Sequence, residues 1–177
     1  LRRYGAGADS GTFDYFTEAI VGKAKAIRTD YQPTEDDNVT IKGVAGDTYA
    51  MGFLGYAYYE ENKDKVKAVA IDHGKGCVLP SRETVLDGTY QPLSRPLFIY
   101  VNVKSLDRPE VQAFVDFYLS PAARRAIRST GYVELPSEAY RIGQELVKRR
   151  KAGTFFMELP AGTPLSKFIQ ELDKELR

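Results

Sequence analysis

Three small hydrogen-bonding residues, Ser10, Gly11 and Thr12, stand directly before an amphipathic helical pattern. The first N–H groups of a helix lack intrahelical partners and, with the helix dipole, carry about half a positive charge. Such a helix start can bind an oxyanion without a basic side chain. Ser10 and Thr12 would add hydroxyl donors, while Gly11 has no Cβ and lets the backbone approach ligand oxygens. An ordinary N-cap remains the alternative, because the same residue types cap most helices.

Other sets of residues that could do chemistry are scarce. The single histidine and the single cysteine, His73 and Cys77, lie in a Gly-rich turn without a third metal ligand at a useful spacing. The sequence contains no Walker loop, dinucleotide fingerprint or Gly-x-Ser-x-Gly motif. We therefore predict no catalytic residues, no metal site and no cofactor. We interpret Cys77 by itself as a small apolar filler, and His73 and Cys77 as a pair as surface turn residues rather than a thiol nucleophile with its base.

The composition is that of a soluble globular protein. The chain has 177 residues, of which 43% are hydrophobic and 28% charged, and its net charge is +1. One large or two small domains fit this length. The sequence pI of about 7.9 lies below the basic range expected of nucleic-acid-binding domains, so we expect no nucleic-acid partner. No stretch approaches the roughly 20 apolar residues of a membrane span.

Helical patterns alternate with apolar runs, which favours an α/β fold. Strands are expected within 49–59, as a short buried strand turning into a short helix, at 66–71, and at 97–103, the strongest strand pattern in the chain. Capping residues and prolines predict helices at 10–23, 36–45, 81–86, 109–119, 121–129, 136–151 and 163–176.

Residues 4–20 read Tyr-Gly-Ala-Gly-Ala-Asp-Ser-Gly-Thr-Phe-Asp-Tyr-Phe-Thr-Glu-Ala-Ile and resemble the second-lobe anion loop of the phosphate-binding proteins of bacterial phosphate ABC transporters. Three later blocks, at 36–47, 51–59 and 90–100, resemble the next helix, the following strand and the stretch that crosses back between the lobes. Their order and spacing agree over about residues 4–130, and beyond that point the similarity is mostly a pattern of helices.

This resemblance implies a type II periplasmic-binding-protein fold, in which two α/β lobes close on phosphate. Residues 1–93 would form the second lobe, and residues 94–177 a crossover strand and helices that return to the first lobe, whose N-terminal half is missing. The implied function is that of an extracytoplasmic receptor, periplasmic or at the cell surface, which captures inorganic phosphate and delivers it to a membrane ABC permease without catalysis. A phosphate-sensing or protein-interaction module with the same fold is the alternative.

Ser10, Gly11 and Thr12 match the family's Ser-Gly-Thr, whose N–H groups and hydroxyls hold phosphate oxygens. Many members also have an arginine four residues before this serine, where the present chain has Ala6. Arg95, near the implied hinge, could supply the missing charge, or it could form a structural ion pair.

Asp9 precedes the Ser-Gly-Thr group at a position that is often glycine in the family. A carboxylate repels an anion unless the ligand carries a proton to share. Asp9 could therefore accept the proton of hydrogen phosphate and penalise sulfate, which has none to offer. The alternative is that Asp9 only caps the helix or braces the loop.

Overall fold

A three-stranded parallel sheet organises the N-terminal part of the chain. The computed structural model describes residues 1–153 and 159–177. Strand β1 (Arg2–Ala6) lies in the centre, between β2 (Gln32–Thr34) and β3 (Ala50–Phe53). Helix α1 (Gly11–Val21) connects β1 to β2, and helix α2 (Asp37–Ala45) connects β2 to β3. Parallel strands joined by helices confirm the predicted α/β class.

The two connecting helices cover opposite faces of this sheet. Successive residues of β1 point to opposite faces and therefore contact different helices. On one face the Tyr4 ring packs against α2, where a Cβ added to Gly43 would lie 2.6 Å from Tyr4 Cζ. On the other face Gly5 lies against Phe53, whose ring stacks on Phe16 of α1 with centroids 4.1 Å apart. Gly5 and Gly43 thus permit close packing between the strand and the helices.

Capping residues fix the helix ends where the sequence predicts them. Ser10 caps α1, and Gly22 ends it with a left-handed φ of 78°, which glycine adopts without strain. Asp36 caps α2 in the same way, and its carboxylate accepts a hydrogen bond of 2.9 Å from Asn38 N. These ends depend only on local hydrogen bonds, so they follow from nearby residues.

The remaining predicted helices are also present. A two-stranded antiparallel hairpin, β4 (Ile71–Asp72) with β5 (Cys77–Val78), encloses the Gly-rich turn. Helix α7 (Ser137–Lys148) packs on α8 (Leu165–Lys174), and α5 (Pro109–Tyr118) packs on α6 (Pro121–Ser129). Val115 of α5 and Tyr140 and Ile142 of α7 are buried. The helices are α3 (Tyr56–Glu61), α4 (Arg82–Leu86), α5 (Pro109–Tyr118), α6 (Pro121–Ser129), α7 (Ser137–Lys148) and α8 (Leu165–Lys174), with a 3₁₀ helix at Val103–Asp107 between α4 and α5.

Two predicted strands and one burial prediction are wrong. Residues 97–102 form no strand, and of residues 66–71 only Ile71 enters one. Within the described residues neither 66–70 nor 97–102 has the neighbouring strand that a ladder of hydrogen bonds requires. Strand β3 forms as predicted but is not buried, since Met51 is 46% exposed. An apolar run therefore predicts a tendency to pair, while pairing itself needs a partner.

Candidate functional site

Helix α1 begins at the carboxyl end of the central strand. The Gly7 N–H extends the β1 ladder by donating to Thr34 O at 3.0 Å, and the Ser10 N–H then turns the chain by donating to Gly7 O at 3.1 Å. Ser10 is extended, with φ −94° and ψ 129°, and its hydroxyl oxygen accepts from Thr12 N at 3.2 Å. In open parallel sheets, ligands bind at this edge, where neighbouring connections diverge to opposite faces.

Several donors in the first turn of α1 remain unused. Among the described residues, the N–H groups of Gly11 and Phe13 make no hydrogen bond. The hydroxyl protons of Ser10 and Thr12 likewise have no acceptor in the described chain. Sequence reasoning missed Phe13, whose side chain is buried but whose N–H is the third of the helix. Any residue except proline supplies this donor at that position, so the helix start alone could have identified it.

Arg95 lies beside this helix start. Its Nη2 donates to Gly11 O at 3.4 Å, and its guanidinium lies 5.1 Å from the centroid of the Tyr15 ring. A Cβ added to Gly11 would lie only 3.1 Å from Arg95 Nη2, so the missing side chain makes room for the cation. No carboxylate of residues 1–153 or 159–177 forms an ion pair with Arg95. The structural ion pair considered for Arg95 therefore finds no support in this part of the chain.

Tyr15 connects this arrangement to two distant segments. Its hydroxyl lies 2.7 Å from Pro92 O and 3.0 Å from Ser94 O, and it accepts a hydrogen bond of 3.1 Å from Gly162 N. Burial raises the pKa of Tyr15, an effect opposed by the Gly162 hydrogen bond and the Arg95 charge. These contacts span 77 to 147 residues along the chain, so no local sequence signal could have revealed them.

Ala6 and Asp9 occupy contrasting positions beside the helix start. Ala6 is 4% exposed at the end of β1, whereas Asp9 is exposed. Within the described residues the Asp9 carboxylate makes no hydrogen bond or ion pair, and the capping role belongs to Ser10. Neither an internal cap nor a loop brace therefore accounts for the Asp9 side chain here, while its role toward a ligand remains a prediction.

The His73 and Cys77 region provides no comparable arrangement. Both residues are exposed on the β4–β5 hairpin, which confirms that they are surface turn residues. The interpretation of Cys77 as an apolar filler is wrong. Two-residue strands leave the turn outside the core, where packing cannot bury the thiol. Across the described residues, no group of three or more His, Cys, Asp or Glu could hold a metal ion.

A large apolar cleft opens next to the helix start. It has a volume of about 1460 Å³, and Thr12, Tyr15 and Arg95 contribute to its wall together with residues 97–101. A small anion needs a dense set of donors, because burying an unpaired charge is costly. The donor-rich end at α1 therefore suits an anion, whereas the apolar remainder suits packed protein side chains.

A membrane span requires both sufficient length and sufficient hydropathy. None of the described helices meets both requirements.

Comparisons with known proteins agree with this architecture. The model of the PBP superfamily domain matches residues 4–122. Protein SphX of Synechocystis sp. is 51% identical over 94% of this chain and 51% of its own length. The phosphate-binding protein PstS of Staphylococcus haemolyticus is 36% identical over 80% of this chain and 44% of its own length.

A solved structure is similar as well. The crystal structure of a possible phosphate binding protein from Planctomyces limnophilus has a TM-score of 0.69 and 42% identity, covering 85% of this chain and 54% of that protein. The chain thus spans about half the length of the curated relatives that it matches. These similarities confirm the predicted type II periplasmic-binding-protein class. Because the family model matches more than half of the chain, the chain belongs to the PBP superfamily.

Proposed function

We propose that this chain is the anion-binding part of an extracytoplasmic receptor that captures inorganic phosphate and delivers it to a membrane ABC permease. The observation that carries the proposal is the start of α1, where unused backbone and hydroxyl donors lie beside the Arg95 guanidinium. Relatives described as phosphate-binding proteins support the choice of ligand. In this proposal the protein binds and releases phosphate unchanged, so it needs no catalytic residues.

Phosphate would be held mainly by hydrogen-bond donors, and basic side chains would not fully balance its negative charge. The N–H groups of Gly11 and Phe13 and the hydroxyls of Ser10 and Thr12 would donate to its oxygens. Arg95 would reach the same anion from the side and replace the guanidinium that the family often places at the position of Ala6. Charge-assisted hydrogen bonds of this kind are about twice as strong as neutral ones.

Asp9 would distinguish phosphate from sulfate. Its exposed carboxylate adjoins the N-cap and has no partner within the described residues, so it is free to accept the proton of hydrogen phosphate. Fully ionised sulfate has no such proton, and two acceptors would then face each other without a donor. Asp9 would therefore repel sulfate more strongly than phosphate.

The other lobe would supply the remaining ligands and cover the apolar cleft. We propose that residues 1–93 form the second lobe and that residues 94–177 return to the first. Leu97 and Tyr100 support this division, because they are 60% and 81% exposed beside the cleft. In this proposal an N-terminal half of the first lobe would pair with this segment and bury these side chains.

Isothermal titration of the full-length protein with phosphate and with sulfate tests the proposal. We expect phosphate to bind much more tightly than sulfate, and Asp9→Asn to narrow the difference. Asp64→Asn, at an exposed aspartate outside the site, is the matched control and should change neither affinity. Absence of binding to either anion refutes the receptor function. Equal affinity of the wild type for both anions refutes only the proposed role of Asp9 in distinguishing phosphate from sulfate and leaves the receptor function standing.

A further inference from the structure

Tyr15 occupies a position that the proposed phosphate ligands do not explain. It lies on α1 one turn after Gly11, so its ring adjoins the helix start. Its hydroxyl meets the carbonyl groups of Pro92 and Ser94 and the N–H of Gly162, each within hydrogen-bond distance. A half-buried hydroxyl with this many backbone partners fixes the segment that crosses α1 at this point.

Arg95 is the residue that follows this anchored segment. Its guanidinium lies over the Tyr15 ring at 5.1 Å and donates to Gly11 O, although the side chain as a whole is exposed. An exposed arginine has considerable rotamer freedom, and holding it in one rotamer costs side-chain conformational entropy. The ring of Tyr15 offers an attractive surface for the cation at this place.

We propose that Tyr15 is a positioning residue for anion binding, whose hydroxyl anchors the backbone before Arg95 and whose ring holds the Arg95 guanidinium at the start of α1. The inference rests on the proposed phosphate function and assigns Tyr15 no contact with phosphate. Tyr15 acts through Arg95, so removing the ring matters only while the cation is present.

A double-mutant cycle in the full-length protein tests this dependence. Arg95→Gln should weaken phosphate binding by about tenfold or more, because hydrogen bonds to charged groups contribute roughly 1.5–3 kcal/mol. Tyr15→Leu should weaken it comparably in the wild type. In the Arg95→Gln background the same Tyr15→Leu change should alter affinity by less than about twofold.

The salt dependence of binding separates positioning from a merely structural role. Phosphate affinity of the wild type should fall more steeply with NaCl concentration than that of Arg95→Gln, and Tyr15→Leu should follow the shallower curve. Arg124→Gln is the matched control, because Arg124 lies over the Tyr140 ring at the same 5.1 Å, away from α1. It should leave both the affinity and its salt dependence unchanged.

Three results would overturn the inference. The first is a phosphate affinity of Tyr15→Leu equal to that of the wild type. The second is an equal loss of affinity on Tyr15→Leu in the wild type and in Arg95→Gln. The third is a salt dependence of Tyr15→Leu that matches the wild type. If Tyr15→Leu does not fold, Tyr15→Phe, which loses only the hydroxyl, is used in the same cycle, and additive losses there contradict the inference as well. Absence of phosphate binding by the wild type refutes the proposed function itself, so the two failures are distinguishable.

Discussion

Replacing Ser10 with aspartate separates the capping role of this residue from its proposed role in anion binding. Aspartate caps helices about as well as serine, and Asp36 already caps α2 in this chain with a hydrogen bond of 2.9 Å to Asn38 N. A carboxylate at position 10 should likewise accept from Thr12 N, where the Ser10 hydroxyl now accepts at 3.2 Å. We therefore expect Ser10→Asp to retain the stability of the wild type.

The same substitution places a negative charge at the proposed phosphate position. An anion held by the first N–H groups of α1 would lie within about 4 Å of the new carboxylate. At an effective dielectric constant of about 20, two unit charges at this distance repel by about 4 kcal/mol. Phosphate affinity should therefore fall by about three orders of magnitude.

Ser10→Ala should lose more stability than Ser10→Asp but retain more of the phosphate affinity. It removes the cap and should cost about 1 kcal/mol of stability. It also removes one hydroxyl donor to the anion, which should weaken binding by about ten- to a hundredfold. The alanine variant should thus be the less stable of the two, and the aspartate variant the weaker binder.

Denaturant unfolding and isothermal titration of the full-length protein measure these two quantities. Ser120→Asp is the matched control, because the Ser120 hydroxyl caps α6 by accepting from Ala123 N at 3.3 Å. It should retain both stability and phosphate affinity. Phosphate binding by Ser10→Asp within tenfold of the wild type would show that the anion does not lie at the start of α1.

Two further predictions concern packing and pH. Gly43→Ala should lower the midpoint of thermal unfolding, because the new Cβ would lie 2.6 Å from Tyr4 Cζ. Gly143→Ala, whose new Cβ would have its nearest neighbour at 3.7 Å, should raise this midpoint by reducing the backbone freedom of the unfolded chain. A higher midpoint for Gly43→Ala than for Gly143→Ala would contradict the packing of α2 on β1. Burial, together with a hydrogen bond to Glu60, raises the pKa of Tyr56 to about 12, so the folded state keeps this proton at a pH where the unfolded state loses it. The stability that the raised pKa of Tyr56 gives the folded state is fully present below about pH 10 and is lost as pH rises toward 12. Denaturant unfolding between these values should therefore show a smaller loss of stability in Tyr56→Phe than in the wild type, and equal losses would contradict the assignment.

Secondary structure could be predicted wherever it depends on nearby residues. Ser10, Asp36 and Ser81 cap helices as expected, since each side chain bonds a backbone N–H two or three residues ahead. The strand predicted at 97–103 was not found, because a strand requires a neighbour that the apolar pattern cannot specify. Met51 in β3 is exposed for a similar reason, because its burial depends on elements that pack from elsewhere.

The sequence alone determined the start of α1 and hence a set of donors able to bind an anion, because capping and the free N–H groups arise within a single helical turn. Only the tertiary structure decided that Arg95 would lie beside these donors, 84 residues along the chain from Gly11. It likewise decided that Tyr15 would join the helix start to Pro92, Ser94 and Gly162. Contacts of this range depend on how the chain crosses the sheet and packs, which residue types and spacing do not specify.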